Sequence, residues 1–395
     1  VPRFCYAGTY ERDYPRNRLT ARALRESGIR VEEAHVPVWE RIRDKSSAGP
    51  RQMARTALAL FVAYGRLIPE VALRLLRCDG LVVGYIGQVD MLMLGPVAKL
   101  MGKPVIFDPL VTMTDTVVED RRLVSTRSPL AWAIAAIDRA SLALADVVLA
   151  DTPENARYMT DRFGVAASRI VVVPVGADED VFYPASDPDW RDATDSKPLD
   201  VLFYGKFIPL HGIETILHAA RLLHDRGTPA RFEIVGTGQT YREMRDLAAR
   251  LELTNVTWTD WIPEAQLGDR LRMADVALGV FSDNAKAGRV VPNKVYQSLA
   301  SGVATVTRGP LPNPSPEKGG AFGADEVSGF VPPGNSVALA DAIERLCSGD
   351  LRKKIARAGL VRYRQSAEAT VRARLVGDAV ERVMGDRWQR PPVHG

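Results

Sequence analysis

The chain has 395 residues, 46% of them hydrophobic and 25% charged, with a formal net charge of +4 at pH 7. These are globular averages, which exclude a disordered or fibrous chain, and so small a charge argues against a nucleic-acid partner. The length exceeds one compact core and predicts two α/β domains of about 180 to 200 residues each.

Short β-branched runs at residues 3–7, 31–36, 80–85, 105–107, 147–150 and 170–173 alternate with longer helical patterns. The rhythm restarts at 200–204, 231–235, 255–258, 276–280 and 304–307, and helical patterns at 336–347, 351–358 and 367–384 close the chain. Such alternation predicts two parallel sheets with crossover helices, an α/β fold of two Rossmann-like domains facing across a cleft. Residues 184–198 collect Pro, Asp and Ser without apolar periodicity, which puts the join near residue 195. The expected domains are 1–194 and 195–366, with 367–395 packing back on the first.

Cys5, Cys78 and Cys347 are odd in number and far apart, which predicts no disulfide framework and a cytoplasmic setting. The chain begins on a strand pattern, without a basic and apolar leader. The apolar stretches 54–76 and 129–150 are interrupted by Arg55, Arg66, Glu70 and Arg74, and by Asp138, Arg139 and Asp146, so no membrane span is expected. Residues 1–77 nevertheless carry 15 Lys/Arg against 8 Asp/Glu. A solvated face is the plain reading of that excess; peripheral contact with anionic lipid at the inner membrane face is the alternative.

The chemistry concentrates in three segments of the second half. Residues 201–223 read as a buried strand ending at Gly205, a loop with Lys206 and His211, and a helix opening at Gly212. That arrangement sets cations and flexible backbone at the carboxyl edge of a parallel sheet, where open α/β folds bind ligands. In residues 232–244, Gly236 and Gly238 lie between a strand and a helix, where glycine lets backbone approach a ligand. Tyr241 breaks any dinucleotide fingerprint. Residues 275–307 run from a strand through a loop with Asp283, Lys286 and Arg289 to a helix start at Pro292 and Asn293, followed by Lys294 and Gln297. Amide donors, the helix dipole and full charges suit a diphosphate there, and Gln297 suits ribose hydroxyls. In the first half, Asp13, Tyr14 and Asn17 follow the first strand, and Asp108 and Asp115 follow the strand at 105–107. Asp13 or Asp108 is the candidate to accept a proton from an acceptor hydroxyl.

Over residues 146–307 the chain resembles the retaining GT-B glycosyltransferases of family 4. It matches in order ADVVLADTPENARYM, VVVPVGADEDVFYP, VLFYGKFIPLHGIETILHAARLL, FEIVGTG, VTWTDWIPEAQLGDRLRMADVALGVF and PNKVYQSLASGVATVT. EVSGFVPPGN at 326–335 resembles the family's loop before its closing helices, whereas residues 1–145 match only in rhythm. The resemblance implies a nucleotide diphosphate sugar as donor and a saccharide, lipid-linked glycan or small molecule as acceptor. It also implies departure of the diphosphate against Lys206, Arg289 and Lys294, with neither metal nor cofactor. Asp178 and Asp180, and Asp187 and Asp189, read as turn formers and not as a metal-holding pair, and the histidines and cysteines have no metal-ligand spacing.

The chain also departs from the family. The family's Arg and Lys after the first strand of its second domain correspond to Lys206 and His211, and its two glutamates to Arg289 and Gln297. Two other readings therefore stand beside transfer: a nucleotide-sugar 2-epimerase, and a nucleotide-sugar-binding protein without catalysis.

Overall fold

The computed structural model describes residues 1–41, 50–185, 198–309 and 329–388. It divides into two compact units, Val1–Val175 with Ala369–Gly395, and Gly176–Glu368.

The first unit runs β1 (Arg3–Gly8), α1 (Pro15–Glu26), β2 (Arg30–His35), α2 (Pro50–Leu75), β3 (Gly80–Val83), α3 (Gln88–Leu100), β4 (Val105–Leu110), α4 (Pro129–Leu144), β5 (Val147–Ala150), α5 (Pro153–Phe163) and β6 (Ile170–Val172). All strand pairs are parallel, in the order β2-β1-β3-β4-β5-β6. A strand with parallel neighbours on both sides needs apolar residues on both faces. The burial of β3 and β5 at every position shows it. Helix starts are written locally: Ser128 and Thr152 accept the amides of Ala131 and Asn155, each just before a proline in the first turn.

The second unit runs β7 (Leu199–Tyr204), α6 (Ile213–Asp225), β8 (Ala230–Val235), α7 (Tyr241–Arg250), β9 (Val256–Thr259), α8 (Glu264–Met273), β10 (Val276–Leu278), α9 (Asn293–Ala300), β11 (Ala304–Arg308), β12 (Gly329–Val331), α10 (Ser336–Arg345) and α11 (Gly349–Ser366). Its strands are again parallel, in the order β12-β11-β10-β7-β8-β9. The β12 strand is an addition to the predicted set, since Gly329–Val331 opens on glycine and carries no β-branched run. α12 (Ala369–Met384) belongs to the first unit, packing on α1 and β6 and burying Val376, Ala379 and Val380 beside Phe4, Tyr6 and Leu24.

The second unit starts before the join predicted near residue 195, which lies outside the described residues, as do Asp187, Asp189 and residues 326–328. The Ala177 amide donates to the Tyr363 hydroxyl at 3.2 Å, and Arg272 donates to the Val181 carbonyl at 3.0 Å. These bonds tie residues 177–181 to α11 and α8. Composition marks where a chain lacks a period, not where its contacts change sides. Asp178 and Asp180 do form a turn, in which the Asp180 amide donates to Asp178 Oδ1 at 3.3 Å. Cys5, Cys78 and Cys347 are free thiols.

The interrupting charges of α2 do not shorten its apolar run as the sequence reading supposes. Its stretch Ala54–Leu75 is long and apolar enough to cross a membrane by length and composition, with a mean hydropathy of 1.4 and 22% of the best window buried. Its inner face, Ala63, Tyr64, Leu67, Val71 and Leu75, is buried in the first unit, and Tyr64 donates to Asp90 on α3 at 2.8 Å.

A buried ion pair fastens the first unit at the carboxyl edge of its sheet. Arg16 Nε donates to both oxygens of Asp108 at 2.9 and 2.8 Å, and Thr20 adds a third bond to that carboxylate at 2.9 Å. The two side chains are 1% and 0% exposed, so removing either leaves an uncompensated internal charge. Arg16→Met should destabilise the first unit by about 3 to 5 kcal/mol in chemical denaturation, and Arg16→Met with Asp108→Leu should recover most of the loss. An unchanged denaturation profile for the single variant would contradict the pair's structural role.

Candidate functional site

The order of the second sheet reverses beside β7: the chain builds outward through β8 and β9, then returns to the other side with β10. The loops after β7 and β10 therefore diverge at their carboxyl ends, where such a sheet leaves a crevice. His211 and Phe281 join the loops, the Phe281 amide donating to the His211 carbonyl at 3.0 Å.

Lys294 reaches into this place from the first turn of α9. It is 6% exposed, its Nζ has no hydrogen-bond partner among the described residues, and it sits 4.0 Å from the Phe203 ring centroid. Burial holds its pKa well below the usual lysine value. Gly205 leaves room for it: at φ +142°, a Cβ there would lie 2.8 Å from Lys294 Nζ. Tyr204 Oη donates to Gln297 Oε1 at 3.0 Å and lies 3.2 Å from the Lys294 carbonyl, fixing the inner face of α9. Pro292 is the capping residue of that helix and offers no side-chain cap, while the Val295 amide donates to the Pro292 carbonyl at 2.9 Å.

His211 differs from its sequence reading. It is 6% exposed, and burial first, then neighbouring Lys294, pushes its pKa well below the ordinary imidazole value. The ring is neutral, Nδ1–H donates to the Lys206 carbonyl, and Nε2 is left as an acceptor. The loop after β7 therefore holds one cation, Lys206, which is exposed.

Gly236 and Gly238 also change meaning. A Cβ on Gly236 would lie 2.1 Å from the Gly205 carbonyl oxygen, and one on Gly238 2.8 Å from the Phe207 amide and carbonyl. Both glycines serve close packing against the loop after β7, which carries Gly205.

The remaining residues spread out. Arg289 is half-buried just after the turn Lys286–Gly288, which packs near the turn Pro209–His211. Gln297 is buried with its acceptor oxygen engaged by Tyr204, so its amide nitrogen alone is left to donate. Asp13 and Asp108 belong to the first unit, Asp13 exposed and Asp108 fully buried. Reading Asp108 as a proton acceptor is corrected, because Arg16 and Thr20 occupy its carboxylate. Tyr14 stacks on Tyr85 at 4.8 Å, and Asn17 is spent on local bonds, accepting from the Tyr85 amide at 2.8 Å.

Sequence reasoning missed Arg308 at the end of β11. It is 4% exposed and donates to the carbonyls of Ser282 at 2.8 Å and Asn284 at 3.2 Å, holding the loop after β10 in place. Its signal was an arginine directly after a buried strand run. Among the described residues no group of three His, Cys, Asp or Glu side chains is placed to share a metal ion.

The comparisons agree with this architecture. A glycosyl transferase 4-like domain model matches residues 5–176, and a glycosyl transferases group 1 model matches residues 198–349. D-inositol 3-phosphate glycosyltransferases from Streptosporangium roseum and Kineococcus radiotolerans are 32% and 29% identical over 181 and 202 residues. The matches cover 42% and 48% of this chain, and 41% and 46% of those relatives, less than half of their length. Among solved structures, sucrose-phosphate synthase from Thermosynechococcus elongatus superposes with a TM-score of 0.69 at 17% identity, covering 97% of this chain and 99% of that one. Anabaena HepE, solved with UDP and glucose, gives 0.64 at 12% identity over 96% and 100% of the two chains. With both units matched in order by glycosyltransferase models and both sheets matched by such structures, this chain belongs to the GT4-type glycosyltransferases of GT-B fold.

Proposed function

We propose that this chain transfers a hexose-type sugar from a nucleoside diphosphate donor to a hydroxyl acceptor, with retention of anomeric configuration and without a metal ion. The observation that carries the reading is the buried ammonium of Lys294, unpartnered among the described residues, at the switch between β7 and β10. A desolvated cation is costly unless an anion meets it, and a diphosphate supplies that anion. The Asn293 and Lys294 amides at the start of α9, where the capping residue has no side-chain acceptor, would add donors. Lys206 stands exposed after Gly205 to take further phosphate charge, and the Gln297 amide nitrogen suits a ribose hydroxyl.

Breaking the bond between the sugar and its diphosphate puts negative charge on the leaving oxygen. Fixed positive charge in a site that excludes water offsets it most strongly. The UDP and glucose bound to Anabaena HepE support the donor class. The names of the curated relatives support a hydroxyl acceptor.

Lys294→Met should weaken nucleoside diphosphate binding by about 1.5 to 3 kcal/mol in calorimetry, the range for a charge-assisted hydrogen bond. Gly205→Ala should do the same by crowding Nζ. Undiminished affinity in both variants would remove Lys294 from the site.

Binding should also take up protons, because the free protein disfavours the charged forms of Lys294 and His211 and a bound diphosphate favours them. Affinity should then fall as pH rises from the depressed pKa of the free lysine toward that of its complex. Calorimetry in buffers of different ionisation heat reads the uptake, and a heat independent of buffer would contradict it.

Turnover is tested by chromatography of released nucleoside diphosphate across UDP-, GDP-, ADP- and TDP-sugars with a panel of acceptors and a chelator present. The expected product keeps the donor's anomeric configuration by NMR. An inverted product, or activity that the chelator abolishes and a divalent cation restores, would contradict the mechanism. Release without any acceptor would favour epimerisation, and tight binding without turnover would favour a binding protein.

A further inference from the structure

The outer face of α2 has no counterpart within the first unit. Leu58, Phe61, Val62 and Leu73, with Leu76 just past the helix, are 65%, 78%, 65%, 67% and 70% exposed, while the opposite face is buried. A helix apolar on both faces belongs inside a protein or against an apolar neighbour. One of its faces here meets solvent.

Charge runs along the same face. Arg55 and Arg66 are exposed and eleven residues apart, which is three helical turns to within about 20°, so they line up beside the apolar stripe, and Arg77 is exposed in the turn just past the helix. None of the three makes an ion pair with a described residue. Glu70 is the sole acidic residue of α2, and Arg74 holds it at 2.8 Å. An apolar stripe with arginines along it and no exposed carboxylate on the helix itself is the pattern of a helix lying in the headgroup region of an anionic membrane. A protein interface of this size would more often mix signs around its rim.

We propose that the outer face of α2 docks the first unit on an anionic lipid surface, with the helix lying flat and Leu58, Phe61, Val62 and Leu73 entering the interface. The helix cannot cross the bilayer while Ala63, Leu67, Val71 and Leu75 are packed in the core of its unit. Its first turns lie toward the carboxyl edge of the first sheet, because a crossover helix between β2 and β3 runs against the strands. That edge also carries the Arg16–Asp108 pair. The inference does not depend on catalysis.

Flotation of the full chain with vesicles tests it. Equimolar phosphatidylcholine and phosphatidylglycerol should carry the protein up, phosphatidylcholine alone should carry far less, and raised salt should release it. Replacing Arg55, Arg66 and Arg77 together by Gln should lower partitioning into the mixed vesicles about a hundredfold, since each arginine near such a surface contributes roughly fivefold. Phe61→Ser with Leu58→Ser should also lower it, and unchanged circular dichroism and nucleoside diphosphate binding would show both variants folded. The proposal is overturned if the wild-type chain ignores mixed vesicles, or if both variants float as it does. It is equally overturned if sedimentation shows the face pairing two copies and Phe61→Ser yields monomers while vesicle binding is absent.

Discussion

The structure of the second unit turns on one desolvated ammonium. Lys294 is inside the protein, over the Phe203 ring, and Gly205 must stay without a side chain for it to remain there. Everything near it follows from that placement. Gly236 and Gly238 let their loop close on the one that carries Gly205, Tyr204 fixes the helix that carries Lys294, and burial and Lys294 together disfavour a charge on His211. The reversal of strand order between β7 and β10 provides the space in which such a group can face a ligand.

The same logic separates structural from functional charge in the first unit. Arg16 and Asp108 neutralise each other's charge in the interior, although Arg16 Nη2 has no partner among the described residues, and with Thr20 they hold a sheet edge in shape. Lys294 differs in that the described protein offers it no carboxylate. A buried charge that the fold already neutralises contributes shape, whereas one that it leaves without a counter-charge points to a ligand.

Much of the fold was legible in the sequence. Buried parallel strands are continuous apolar runs, and those at 147–150 and 200–204 fall on β5 and β7 to within a residue at each end. The segments around Gly205 and Lys294 were legible as well, because a glycine after a strand and cations beside a helix start leave local signals. What stayed hidden depends on distant partners. Asp108 meets Arg16 across 92 positions of sequence, and Gly236 meets the Gly205 carbonyl from another loop. The protonation of His211 depends on burial, and β12 opens on glycine and carries no β-branched run. In α2 the interrupting charges were visible but not their position: Arg55 and Arg66 lie on the outer face, and Glu70 is neutralised by Arg74.

A crystal structure of the chain with a nucleoside diphosphate bound tests the central claim most directly. The account predicts a phosphate oxygen within hydrogen-bond reach of Lys294 Nζ, with the first amides of α9 donating to the same group. A diphosphate bound elsewhere, with Lys294 Nζ still buried and unmet, would contradict it.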